Sequence, residues 1–129
     1  MRTSQTVWET ILLVDDDEAV RRIAKRALSR SGYHVLEAAG GAEALDLYRR
    51  HGHAIRLLVT DVVMPEIGGV ELVQRLCATE PDLRVLFISG HAEELVRRPD
   101  LMGRHQHFLR KPFTIEELTR MVRELLDTA

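Results

Sequence analysis

The sequence predicts an α/β protein, a doubly wound five-stranded parallel sheet of (βα)5 form. Three observations predict it. Short runs rich in Val, Ile and Leu alternate with amphipathic segments in five rounds of similar length. Three of those runs are apolar on both faces, as strands must be in a sheet covered by helices on each side. Strict alternation of strand and helix implies right-handed crossovers, which distribute helices over both faces of one sheet. A chain of 129 residues is long enough for one such domain and too short for two. The expected division is a leader over residues 1–9 and the domain over 10–129, with Trp8 in the leader.

The elements follow in order. A first strand over residues 11–14 runs into Asp15-Asp16-Asp17, and Val20, Ile23, Ala24, Ala27 and Leu28 then recur at helical spacing as one buried face. Gly32 ends that helix. A second strand spans 34–38, and Gly41, Ala44, Leu45 and Tyr48 mark a second helix closed by Gly52. The third strand, 57–60, is followed by Asp61 and a loop carrying Pro65, Gly68 and Gly69. Gly69, Leu72, Val73, Leu76 and Cys77 then form a third helix face before Pro81. A fourth strand over 84–88 precedes a short fourth helix marked by Ala92, Leu95 and Val96, which Pro99 ends. The fifth strand is 106–110, and Leu118, Met121, Val122 and Leu125 line the last helix.

Composition excludes several classes. The formal net charge is −2 and no run of like charge exceeds the four acids at 15–18, so there is no basic footprint for direct nucleic-acid binding. A single cysteine, Cys77, allows no internal disulfide, and on its helical stripe it reads as a small core hydrophobe. The pairs His51-x-His53 and His105-x-His107 lack a partner cysteine or carboxylate motif at zinc spacing. No apolar stretch approaches the ~20 residues of a membrane span, and the first residues lack the apolar segment of a signal peptide. The expectation is a soluble cytoplasmic protein without membrane contact.

In doubly wound sheets ligands sit beyond the carboxyl ends of the strands, near the point where strand order reverses. Here the first strand ends in the three aspartates, the third in Asp61, the fourth in Ser89-Gly90 and the fifth in Lys111-Pro112, whereas the second ends only in Glu37-Ala38-Ala39. With the second strand outside, the other four ends converge on one pocket. Clustered carboxylates repel, so they take up protons or hold a cation. Few, hard oxygen ligands favour Mg2+. A lysine and a hydroxyl beside such a metal suit the remaining oxygens of a phosphoryl group, and a carboxylate not consumed by the metal can act as nucleophile. Taken singly each feature has a plainer meaning: Asp15, Asp16 or Asp17 as a helix cap, with Asp17 the best candidate, Asp61 as a turn carboxylate, Lys111 as a solvated side chain, Phe108 as core. Lys111 is the more informative because only two lysines accompany sixteen arginines.

The segments ILLVDDDEA, LLVTDVVMPEIGG, VLFISGHA and FLRKPF, in that order, resemble the four signature segments of the receiver domain of bacterial two-component response regulators, which implies a flavodoxin-like fold with strand order 2-1-3-4-5. The likeness spans about Thr10 to Leu126. Carried over residue by residue, it implies Asp61 as phosphoacceptor and Asp15 and Asp16 as the acidic pair that binds Mg2+ with it. It implies the backbone carbonyl of Val63 as a further metal ligand, Ser89 and Lys111 as contacts to the phosphoryl group, and Phe108, without a hydroxyl, at the aromatic switch position. His91, two residues after Ser89, stands where this family tunes loss of the phosphoryl group. The resemblance implies a cis Lys111-Pro112 bond, which the residues alone leave open. It also implies a histidine kinase or histidine phosphotransfer domain as partner and a signalling phosphoacceptor rather than an enzyme acting on external substrates, with output through the fourth and fifth helices.

Two other classes share parts of this pattern. A haloacid-dehalogenase-like phosphatase needs D-x-D-x-T or D-x-D-x-V after the first strand, and Asp15-Asp16-Asp17-Glu18-Ala19 has the acidic spacing without the Thr or Val. A flavodoxin-like cofactor binder needs a hydroxyl-rich phosphate loop where the acids stand. Within the receiver family, FISGHA, TVWETILLVDDDEA and RKPFTIEEL particularly resemble receivers at the carboxyl end of hybrid histidine kinases, with a stand-alone single-domain regulator as the alternative. The last helix needs its apolar stripe for the core, so a homodimer through the last helices stays open without evidence for it.

Overall fold

The computed structural model describes residues 9–90 and 105–127. Five parallel strands, β1 (Thr10–Val14), β2 (His34–Ala38), β3 (Ile55–Asp61), β4 (Arg84–Ser89) and β5 (Gln106–Arg110), form one sheet in the order β2-β1-β3-β4-β5. The described helices are α1 (Glu18–Arg30), α2 (Gly41–His51), α3 (Gly69–Cys77) and α4 (Ile115–Asp127), with a 3-10 turn over Gly52–Ala54. The expected helix marked by Ala92, Leu95 and Val96 lies outside the described residues, as do Trp8 and His91.

The two faces of the sheet carry separate cores. Leu12, Val14, Leu58, Val85 and Phe87 point to the side covered by α2 and α3, where Ala44, Tyr48, Leu72, Val73 and Leu76 meet them. Ile11, Leu13, Leu57, Val59, Leu86 and Ile88 point to the other side, against Ala24 and Leu28 of α1 and Leu118, Val122 and Leu125 of α4. The period-2 alternation of side chains along each strand assigns neighbours to opposite cores, which is why β1, β3 and β4 read as continuous apolar runs.

Local chemistry fixes the helix ends. Asp17 caps α1, its Oδ1 accepting from the amides of Ala19 at 3.0 Å and Val20 at 3.3 Å, the plain cap expected of it. Thr114 and Glu117 form a reciprocal capping box at the start of α4, with the Thr114 amide donating to Glu117 Oε1 at 2.8 Å and the Glu117 amide to Thr114 Oγ1 at 3.0 Å. Gly32, at φ 99, lets the chain leave α1 in the left-handed region.

Four expectations need correction. β1 starts at Thr10, one residue before the expected 11. β3 starts at Ile55 rather than residue 57 and includes Asp61, because the exposed Arg56 interrupts the apolar run without interrupting the pairing. β4 likewise includes Ser89. Ile23 belongs to the predicted buried face of α1 yet is 58% exposed, since the stripe is wider than the surface that α4 and the sheet cover. It borders an open groove with Phe113 and Ile115.

Candidate functional site

β1 and β3 are adjacent and parallel, with Val14 opposite Thr60, so the residues that follow each, Asp15 and Asp61, come side by side at the carboxyl edge. Asp61 is the last residue of β3 and 9% exposed; Asp15 is 3% exposed; Asp16 is exposed. One carboxylate oxygen from each of Asp15, Asp16 and Asp61 lies within 4.8 Å of the others. From the far side of the sheet Lys111 brings its Nζ to 3.2 Å from Asp61 Oδ2 and 3.6 Å from Asp15 Oδ2. The Lys111-Pro112 bond is cis. The Lys111 amide donates to the Ser89 carbonyl at 2.9 Å, which ties the end of β5 to that of β4. Ser89 itself is buried.

The first, third, fourth and fifth strand ends therefore meet as expected, and β2 lies outside them beside β1. Val63 follows two residues after Asp61 with its side chain 54% exposed, so nothing in the core depends on it. Phe108 is half-buried at the centre of β5, in register with Phe87.

Burial raises the pKa of the Asp15 carboxyl, an effect that the Asp17 amide donating to its Oδ1 at 2.9 Å and the nearby Lys111 ammonium offset only in part. For Lys111, burial works against the charged form, but the charges of Asp15 and Asp61 outweigh it and raise the pKa. Three carboxylates facing one ammonium leave an excess of negative charge in a poorly solvated recess. A small divalent cation relieves it, and three carboxylate donors with one open side fit Mg2+, which keeps several waters or phosphate oxygens.

The raised Asp15 pKa gives a stability prediction for the metal-free protein. Between the unfolded and the folded pKa the native state binds the extra proton, so stability falls as pH rises through that window and the penalty is fully present above it. Asp15→Asn should therefore unfold at a higher temperature than the parent at pH 7 with a chelator present, and the gain should shrink towards pH 4. Thermal unfolding at both values checks this; a lower midpoint for the variant at pH 7 contradicts it.

Glu37 and Arg21 also belong to this region, although in the sequence Glu37 is only the acid of an otherwise featureless strand end. Arg21 Nη1 donates to the Asp15 carbonyl at 2.8 Å and its Nε to Glu37 Oε1 at 3.0 Å. The available signal was an arginine one turn into the helix that follows the acid cluster.

A family profile described as the response regulator receiver domain matches residues 11–123. The chain belongs to this family. This receiver domain is 42% identical over 118 residues to the sensor kinase CckA of Brucella abortus (strain 2308), a match covering 92% of the chain but 12% of that kinase. It is 37% identical to the response regulator receiver protein CpdR of the same organism, over 92% of the chain and 98% of CpdR. Among solved structures, the receiver domain from the hybrid histidine kinase CckA superposes with a TM-score of 0.79 at 37% identity, covering 92% of this chain and 99% of that one. The Vibrio cholerae chemotaxis protein CheY4 reaches a TM-score of 0.83 at 25% identity, with the same coverage. The phosphatase and cofactor-binder alternatives are thereby not favoured. No helix among the described residues is long and apolar enough to cross a membrane.

Proposed function

We propose that Asp61 is the phosphoacceptor of this receiver domain, taking its phosphoryl group from a phosphohistidine of a histidine kinase or histidine phosphotransfer domain. The observation that carries this reading is the convergence of Asp15, Asp16 and Lys111 on the carboxylate that ends the central strand. Asp15, Asp16, Asp61 and the Val63 carbonyl would hold Mg2+, which neutralises charge on the phosphoryl oxygens when bound. An Asp61 carboxylate oxygen attacks phosphorus in line, the bond to the histidine nitrogen breaks, and its electron pair returns to the imidazole. Lys111, anchored on Asp61 before the reaction, moves its ammonium to a phosphoryl oxygen, and the Ser89 hydroxyl donates to another. Because the donor is already reactive, positioning and charge neutralisation suffice, which fits so small a set of residues.

Ser89 and Phe108 form the proposed switch. Drawing the Ser89 hydroxyl towards the new phosphoryl group displaces the end of β4, and Phe108, half-buried beside it, would turn into the space released. The match to the sensor kinase CckA supports a receiver that works within a hybrid histidine kinase. A stand-alone regulator, for which the match along nearly the whole of CpdR would be the argument, is the less favoured alternative.

The test is labelling of the purified chain by a small phosphodonor such as acetyl phosphate. A hydroxylamine-sensitive label should appear with Mg2+ and vanish with a chelator. Asp16→Ala should lower Mg2+-dependent labelling by roughly tenfold or more, since it removes a ligand that is exposed and bears no load in the core. Full labelling of that variant at low Mg2+ would refute the role of Asp16.

A further inference from the structure

Asp15 and Asp16 sit on the short segment joining β1 to α1, so two of the three carboxylates depend on how that segment is held. Mutual repulsion tends to splay it outward whenever no cation is present. Both backbone polar groups of Asp15 are tied down. Its amide donates to the Ala38 carbonyl at the end of β2 at 3.2 Å, and its carbonyl accepts from Arg21 Nη1 at 2.8 Å.

Arg21 is itself fixed. Its side chain is 16% exposed, and its Nε is held 3.0 Å from Glu37 Oε1. The other oxygen of Glu37 lies 2.9 Å from Lys25 Nζ, so one carboxylate on β2 anchors two cations of α1. The planar guanidinium uses two edges at once, one for the carboxylate and one for the carbonyl, a geometry an ammonium cannot reproduce.

We infer that Arg21, anchored by Glu37, is a positioning residue that presents Asp15 and Asp16 to Mg2+ and sets the metal affinity of this receiver domain. This rests on the metal reading proposed above. Partners that orient metal ligands from behind commonly contribute 10- to 100-fold to affinity, roughly the range expected here.

The sign of the effect separates positioning from charge. Removing a cation near an acidic pocket should tighten Mg2+ binding by Coulomb attraction alone. Loss of a brace should weaken it. Mg2+ binding to the full chain is measured by titration calorimetry and by the amide resonance of Asp17, whose N–H bonds Asp15 Oδ1, with circular dichroism as the check on folding. Arg21→Met is expected to raise the Mg2+ Kd roughly tenfold, with Arg21→Lys and Glu37→Gln intermediate. Arg22→Met removes a charge from the same helix, where Arg22 pairs with Glu18 at the surface, and should bind no more weakly than the parent. Parental or tighter binding by Arg21→Met overturns the inference; should that variant not fold, parental binding by Arg21→Lys overturns it. Equal weakening in Arg22→Met overturns it as well. Parent and Asp16→Ala binding Mg2+ alike would instead overturn the metal reading, and the inference with it.

Discussion

Asp61→Asn is expected to fold as the parent does and to take up no phosphoryl label, a loss of roughly three orders of magnitude or more in labelling rate. Asparagine keeps the shape of the side chain at a site 9% exposed, so the end of β3 keeps its packing. The amide oxygen still accepts a hydrogen bond from Lys111, now 3.2 Å from Asp61 Oδ2. What is lost is the anionic nucleophile, because the amide lone pair is delocalised and its attack would leave an unstable cationic adduct. One of the three cation-binding carboxylates goes with it, so Mg2+ affinity should fall as well. Incubation with labelled phosphohistidine kinase and with acetyl phosphate, followed by hydroxylamine treatment, reads the result. A hydroxylamine-sensitive label at parental stoichiometry on the variant would remove Asp61 from the role of acceptor.

How far the sequence exposes this site depends on what kind of signal each residue carries. β2 and β5 begin and end where their runs do, and the strand order implied by the family resemblance is the one observed. β3 reads two residues short at its start because Arg56, outward and exposed, looks like a break when only its position on the sheet makes it harmless. Ile23 shows the opposite error: its helical spacing is correct, but spacing fixes a face and not the width of that face that neighbours cover. Asp15, Asp16, Asp61, Ser89 and Lys111 stand out in the sequence because each is a polar residue at or just beyond the end of a strand. Arg21 and Glu37 act through contacts between α1 and β2, and such pairing across elements leaves no period or motif in the chain.

The Gly pair after Asp61 carries the second large effect, and for a reason other than the loop turn it suggests. Gly68 has φ −76, and the left-handed residue of that loop is Glu66, at φ 66. Gly69 opens α3, its amide donating to the Val62 carbonyl at 2.9 Å. A Cβ on Gly69 would collide with the backbone carbonyl oxygen of Asp61 and stand 3.0 Å from its carbonyl carbon and 3.1 Å from Val62 Cα. All three atoms are backbone, so no rotamer change relieves the overlap; either α3 lifts from the sheet or the end of β3 shifts. Gly69→Ala should therefore cost about 3 kcal/mol of stability, the upper part of the range for overpacking. At Gly68 the nearest atom to an added Cβ is the Val62 carbonyl oxygen at 3.1 Å, a tight contact but not a collision, so Gly68→Ala should lose clearly less. Denaturant unfolding of the two variants beside the parent measures the difference. Since the strain falls on the residue that carries the proposed nucleophile, the folded fraction of Gly69→Ala should also label more slowly. Parental stability in that variant would mean that α3 and the end of β3 can separate freely, and the close seating of the helix on Asp61 would lose its part in fixing the carboxylate.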